Sequence, residues 1–157
     1  MAYNVSLMSK YYEDLNIGDE FVSPISRTIT ETDVVNFVSL SGMYEPLFID
    51  EEYAKKTPFG KRIAPGLLTL AISLGLSIRL GLTDKTALGL LGMDRMQWPA
   101  PVSMGDTVSC IVKVINKRET SKPDRGIIVY KHTVRNQRGE TVLEYERTQL
   151  IRRRPKE

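Results

Sequence analysis

One cysteine and one histidine in 157 residues exclude several classes of protein at the outset. Cys110 has no partner for an internal disulfide, and a lone His132 beside it makes no set of soft ligands, so neither a disulfide scaffold nor a metal site is expected. Long apolar runs are scarce as well. The uncharged stretch from Ala64 to Ile78 includes Thr69, Ser73 and Ser77, and it falls short of the roughly 20 residues that span a bilayer. It reads as a core helix, with no membrane partner. The opening residues, MAYNVSLMSKYYEDL, lack a basic-then-apolar leader pattern, and a cytoplasmic location is expected. A glycine-rich phosphate loop and a dinucleotide fingerprint are also missing, which argues against ATP and NAD.

What is present is an ordinary globular mixture, 41% hydrophobic and 26% charged, with neither repeats nor low-complexity linkers. One domain covering residues 1–157 is expected. The net charge of +3 concentrates in the last six residues, through Arg152, Arg153, Arg154 and Lys156. Without a zinc finger, an RNP-like motif or a basic helix, this reads as a solvated basic tail, and nucleic acid is not an expected partner.

The element order is strand, helices, then four strands. Residues Glu20 to Ile29 predict a strand that Pro24 breaks or places at an edge. Thr30 or Thr32 caps a helix over Asp33 to Leu40, which Ser41-Gly42 ends. The loop SGMYEPLFID is too apolar for a surface connection, and Pro46 is expected to stop helix propagation through it. Asp50 then caps the short helix EEYAKK. From about Pro65 to Leu80 a helix is apolar around its circumference and should be enclosed by protein. Ala87 to Gln97 reads as a strand. Val108, Cys110, Val112 and Val114 alternate on one face, and strands over Ile127–Val134 and Val142–Ile151 flank a hairpin turn at Asn136–Gly139. The segregated pattern predicts an α+β fold, an antiparallel sheet curled around one buried helix.

Four phrases, in order, resemble the MaoC-like family of acyl-CoA hydratases and dehydratases: YYEDLNIGDEF, SGMYEPLFIDEEYAKKTPFGKRIAPGLL, PAPVSMGDTV and SKPDRGIIVYKHTVRNQRGETV. The resemblance implies a hot-dog fold, a long central helix wrapped by a curved antiparallel sheet, paired into a homodimer or higher homo-oligomer. It implies an acyl-CoA or acyl-carrier thioester as partner, fatty acid metabolism as setting, and no separate cofactor, coenzyme A being part of the substrate. The family's loop usually reads SGDxNPLHxD, whose Asp and His form the acid-base pair for adding or removing water. Here those two positions carry Met43 and Phe48, neither of which can exchange a proton, and the Asn position is Glu45. Ala71 stands where some family hydratases place a serine. A second, dyad-bearing chain is therefore an implied partner.

Candidate site residues follow from that loop. Glu45 is the candidate general base, in hydration or in thioester hydrolysis; otherwise it pairs with Lys61 or Arg62. Gly92 matches a family glycine whose backbone N–H holds the thioester carbonyl oxygen, and a strand bulge is the alternative. Met43, Tyr44, Phe48 and Gly66 are candidate substrate contacts. Arg125, clustered with Lys117, Arg118 and Lys122, is the candidate for the coenzyme A phosphates, or else part of a solvated hairpin tip. His132 and Cys110 read as core residues.

Overall fold

The alternation in the second half of the chain becomes the sheet. The structure is a computed structural model that describes residues 9–155. A short 3-10 turn at Tyr12–Asp14 precedes β1 (Glu20–Val22) and β2 (Arg27–Thr28). Helices α1 (Glu31–Ser41), α2 (Pro46–Ile49), α3 (Glu51–Ala54) and α4 (Gly66–Ile78) follow, then strands β3 (Ala87–Gln97), β4 (Thr107–Glu119), β5 (Arg125–Arg135) and β6 (Thr141–Arg152). The sheet runs β1-β4-β5-β6-β3, antiparallel throughout, with β2 also on β4. Helix α4 packs across its concave face.

The inward positions supply the core: Val108, Cys110, Val112 and Val114 of β4, Ile128, Tyr130, His132 and Val134 of β5, and Leu143, Tyr145 and Ile151 of β6 are all buried. The expected first strand is two short pieces, broken around Pro24. The first helix starts two residues earlier than expected, at Glu31, because Thr30 caps it reciprocally: its side chain accepts from the Asp33 N–H, and the Asp33 carboxylate accepts from the Thr30 N–H. Gly42 ends that helix at φ 73°, a left-handed conformation that costs glycine nothing.

Three expectations are corrected. Pro46 does not keep the loop from being helical; its fixed φ opens the single turn of α2 at a position where no backbone donor is needed. Helix α4 is not wrapped all round. Leu67 and Ile78 are exposed, whereas Thr69, Ser73 and Ser77 face inward, Ser73 and Ser77 donating to the carbonyls of Leu70 and Leu74. The sheet covers one side of the helix only. The described part of the basic tail is not unpaired either, and Lys156 lies outside the described residues. Arg153 pairs with Glu119 and Glu13, and Arg154 pairs with Asp14 at 2.7 Å. Lys117 and Arg153 each lie over the Tyr12 ring, and Arg154 lies over Tyr11.

Candidate functional site

Gly42 turns the chain out of α1 and delivers Met43, Tyr44 and Glu45 to the start of α2. That one helical turn drops Phe48 into the core, 9% exposed, and ends at Asp50, whose side chain caps α3 by accepting the Tyr53 N–H at 2.9 Å. Phe48 then faces the first turn of α4. On the other side Trp98, just beyond β3, donates its indole N–H to the Gly66 carbonyl at 3.0 Å. A Cβ at Gly66 would stand 2.9 Å from that indole nitrogen, so the close approach requires glycine.

Between these residues lies a cavity of about 350 Å³, lined by Leu47, Phe48, Phe59, Gly66, Thr69 and Trp98 together with the segment from Pro99 to Val102. Its side-chain polar groups are the Thr69 hydroxyl and the indole N–H. Among the described residues, no ionisable side chain lines it. Such a half-open pocket can take an apolar chain, and among the described residues its walls carry no group that titrates.

Two candidate residues, Phe48 and Gly66, meet in this chamber. Met43 is half-buried against the core but is not part of the lining. Tyr44 is 59% exposed. Glu45 stands exposed before α2, makes no capping hydrogen bond, and lines none of the cavities described here. Of the two partners expected for it, Lys61 and Arg62, the second is engaged elsewhere: Arg62 donates to both Glu31 oxygens at 2.7 and 2.9 Å and to Glu51 at 2.9 Å.

Gly92 sits on the edge strand directly after a break in register between Leu90 and Gly92, as a bulge requires. Arg125 lies in a groove with Leu88, Arg152 and Arg153, at the other end of β3 from Trp98. Ten residues of strand make that separation about 30 Å. Arg125 is bound by Asp124 at 2.6 Å, and Lys117 donates to the Leu15 carbonyl at 2.7 Å, so the basic cluster does not form beside the loop.

Sequence reasoning missed Phe59, whose turn-rich segment carries no periodic signal. Nor does the sequence signal the bond between Trp98 and Gly66, whose partners stand 32 positions apart. Sequence reasoning also missed a polar group of residues beneath α4. His132 is buried among Cys110, Tyr130 and Tyr145, and burial, aided by the positive charge of Arg147, pushes its pKa down to about 3. Burial likewise pushes the Cys110 thiol up to about 12, against the pull of Arg147.

A helix laid on a curved antiparallel sheet defines a hot-dog protein. A Mycobacterium tuberculosis protein with a double hotdog fold shares this arrangement at a TM-score of 0.82 and 18% identity, over 95% of this chain and 46% of that one. Residues 14–136 match the MaoC like domain, and the chain belongs to that family. It is 31% identical to the (R)-specific enoyl-CoA hydratase of Rhodospirillum rubrum, over 92% of this chain and 94% of that protein. It is 34% identical to protein MaoC of Klebsiella aerogenes over 74% of this chain, which spans only 33% of the Klebsiella protein. A monoamine oxidase regulatory protein from Archaeoglobus superposes at a TM-score of 0.86 with 37% identity, over 94% of this chain and 97% of that one. Among the described residues, no helix is long and apolar enough to cross a membrane.

Proposed function

We propose that this chain binds the acyl part of a coenzyme A or carrier-protein thioester in the chamber beside Phe48, and contributes no proton-transfer pair of its own. The observation that carries this reading is the chamber wall, which is apolar and without a titratable side chain. The enoyl-CoA hydratase kinship supplies the substrate class. Hydration of an enoyl thioester needs a group that delivers and removes a proton within hydrogen-bond reach of the reacting carbons. With Met43 and Phe48 at the two positions where the family carries Asp and His, that pair comes from a dyad-bearing chain in a shared assembly.

The outer side of β3 supports assembly. It is the edge of the sheet, eleven residues long, and Leu88, Leu90, Leu91 and Met96 are exposed on it. A long apolar edge is a template for a further strand. The open face of α4, with Leu67 and Ile78, adds apolar area that a partner would cover.

Hydrolysis of the thioester through Glu45 is the less supported chemistry, because that carboxylate is exposed and lies outside the chamber. Trp98 is the only tryptophan and lines the chamber, so its fluorescence reads occupancy directly. Titration with crotonyl-CoA and octanoyl-CoA should give saturable changes in emission, with neither hydration nor CoA release by the chain alone. Absence of any emission change would remove the binding reading. Turnover by the purified chain that Glu45→Gln abolishes would replace it with catalysis by Glu45.

A further inference from the structure

The chamber wall from Pro99 to Val102 has no regular structure, and two of its four residues are proline. Proline has no N–H, so this stretch cannot hold itself in a strand ladder. The Val102 carbonyl accepts the Ala64 N–H at 2.7 Å, and among the described residues that is the one backbone hydrogen bond of the four. The position of the wall therefore depends on its two ends. One end is Trp98, fastened to the Gly66 carbonyl. The other is the turn from Ser103 to Asp106, which leads into β4.

Asp106 holds that turn with both carboxylate oxygens, although the residue is only 6% exposed. Oδ2 accepts the Ser103 N–H at 2.9 Å. Oδ1 accepts from Gln137 Nε2 at 2.8 Å and from Arg138 Nη1 at 3.0 Å, both on the tip between β5 and β6. Gln137 in turn accepts the Thr107 N–H at 2.9 Å. On the backbone, the Asp106 carbonyl accepts from Ile29 at 2.9 Å, and Gly105 donates to the Ile29 carbonyl at 2.8 Å.

Closing the turn needs the Oδ2 side alone. With that bond and no other, the turn could still pivot about the start of β4. The Oδ1 side pins it to a hairpin tip 31 and 32 positions further on. A carboxylate is required for this double duty. An amide offers one acceptor oxygen, so it can satisfy the Ser103 side or the tip, but not both. Burial would raise the Asp106 pKa, yet the Ser103 N–H, Gln137 and Arg138 outweigh it and hold the group below the usual carboxylate range.

We propose that Asp106 is a positioning residue for the acyl chamber: clamped by the hairpin tip, it fixes the Pro99–Val102 wall and with it the width of the chamber. The inference rests on the acyl-binding reading and adds a determinant outside the chamber, since Asp106, Gln137 and Arg138 line no part of it.

The test compares the full chain with Asp106→Asn, which keeps the shape of the side chain, and with Arg138→Met, which removes one donor at an exposed position. Trp98 emission is titrated with crotonyl-CoA and octanoyl-CoA, and hydrogen exchange is followed at Ala64, whose amide bonds the wall directly. Asp106→Asn should weaken octanoyl-CoA by about tenfold, as loss of a buried partner implies, and should weaken crotonyl-CoA, with its shorter chain, by less. Exchange at Ala64 should quicken while the amides of the β5–β6 ladder keep their rates. Arg138→Met should move both readouts the same way by a smaller factor, and it decides the matter if Asp106→Asn does not fold. Asp14→Asn, at a carboxylate that accepts from Tyr11 and Arg154 far from the wall, should lower the thermal midpoint and leave both readouts at the parent values. If Asp106→Asn and Arg138→Met lower the midpoint but leave affinity and Ala64 exchange unchanged, Asp106 serves the fold alone and the proposal is overturned. Failure of the parent chain to bind either thioester removes the acyl-binding reading, and this proposal with it.

Discussion

Trp98 and Gly66, 32 positions apart, are locked by one hydrogen bond and by the absence of a side chain: the indole N–H reaches the Gly66 carbonyl, and a single added methyl would collide with it. This pairing closes the chamber at the start of α4. Gly66→Ala should push the indole outward, since Trp98 is partly exposed and free to move that way. The expected result is a red-shifted emission maximum and acyl-CoA affinity lower by about tenfold, about 1.4 kcal/mol, with the circular dichroism spectrum unchanged.

Phe48→Ala should cost about 3–5 kcal/mol in urea unfolding, as large-to-small changes of buried aromatics do, because Phe48 packs in the core as well as lining the chamber. Glu45→Gln should leave stability within about 0.5 kcal/mol of the parent, as expected of an exposed side chain outside any network. The contrast between these neighbouring positions separates a wall residue from a loop residue.

Acid should weaken the fold before its carboxylates titrate. His132 has a folded pKa of about 3, against about 6.5 in an unfolded chain. Between those values the unfolded chain holds a proton that the folded one refuses. The contribution is therefore fully present above pH 6.5 and lost as pH falls towards 3, at up to about 1.4 kcal/mol per pH unit. Denaturant midpoints measured between pH 7 and 5 should show this slope, and His132→Phe should flatten it.

Gly126→Ala tests how the turn at Tyr12–Asp14 is held. The added Cβ would lie 2.3 Å from the Tyr12 ring, which is buried, so the ring cannot stay where it is. Overpacking of this kind costs about 1–3 kcal/mol, read as a lower thermal midpoint. Hydrogen exchange should quicken at Lys10 and Asp14, whose amides bond the carbonyls of Leu82 and Tyr11.

Much of the fold was legible because its signals are local. The Thr30 cap, the alternation in β4 and the Asn136–Gly139 turn each reside in a few consecutive residues. The open side of α4 was not, since periodicity reports which residues are apolar and not how far a sheet reaches around them. The buried serines of α4 depend on their own backbone and, for Ser73, on Tyr145, 72 positions away. The candidate site divided the same way. Phe48 and Gly66 both belong to motifs the sequence displays, and the short α3 and the turn after it bring the two together in space. Arg125 and Lys117 look like one cationic cluster in the sequence, yet Asp124 and the Leu15 carbonyl claim them separately.

The contact between Arg154 and Asp14 fastens together stretches separated by 140 positions. A short peptide bridging the two stretches would span a gap that the ion pair already closes. The chain could then be opened instead at the hairpin tip between β5 and β6, at Arg138 or Gly139, with every strand pairing kept. Severing the β5–β6 tip in this way would turn a hairpin bend that now connects two strands into the place where the polypeptide starts and stops.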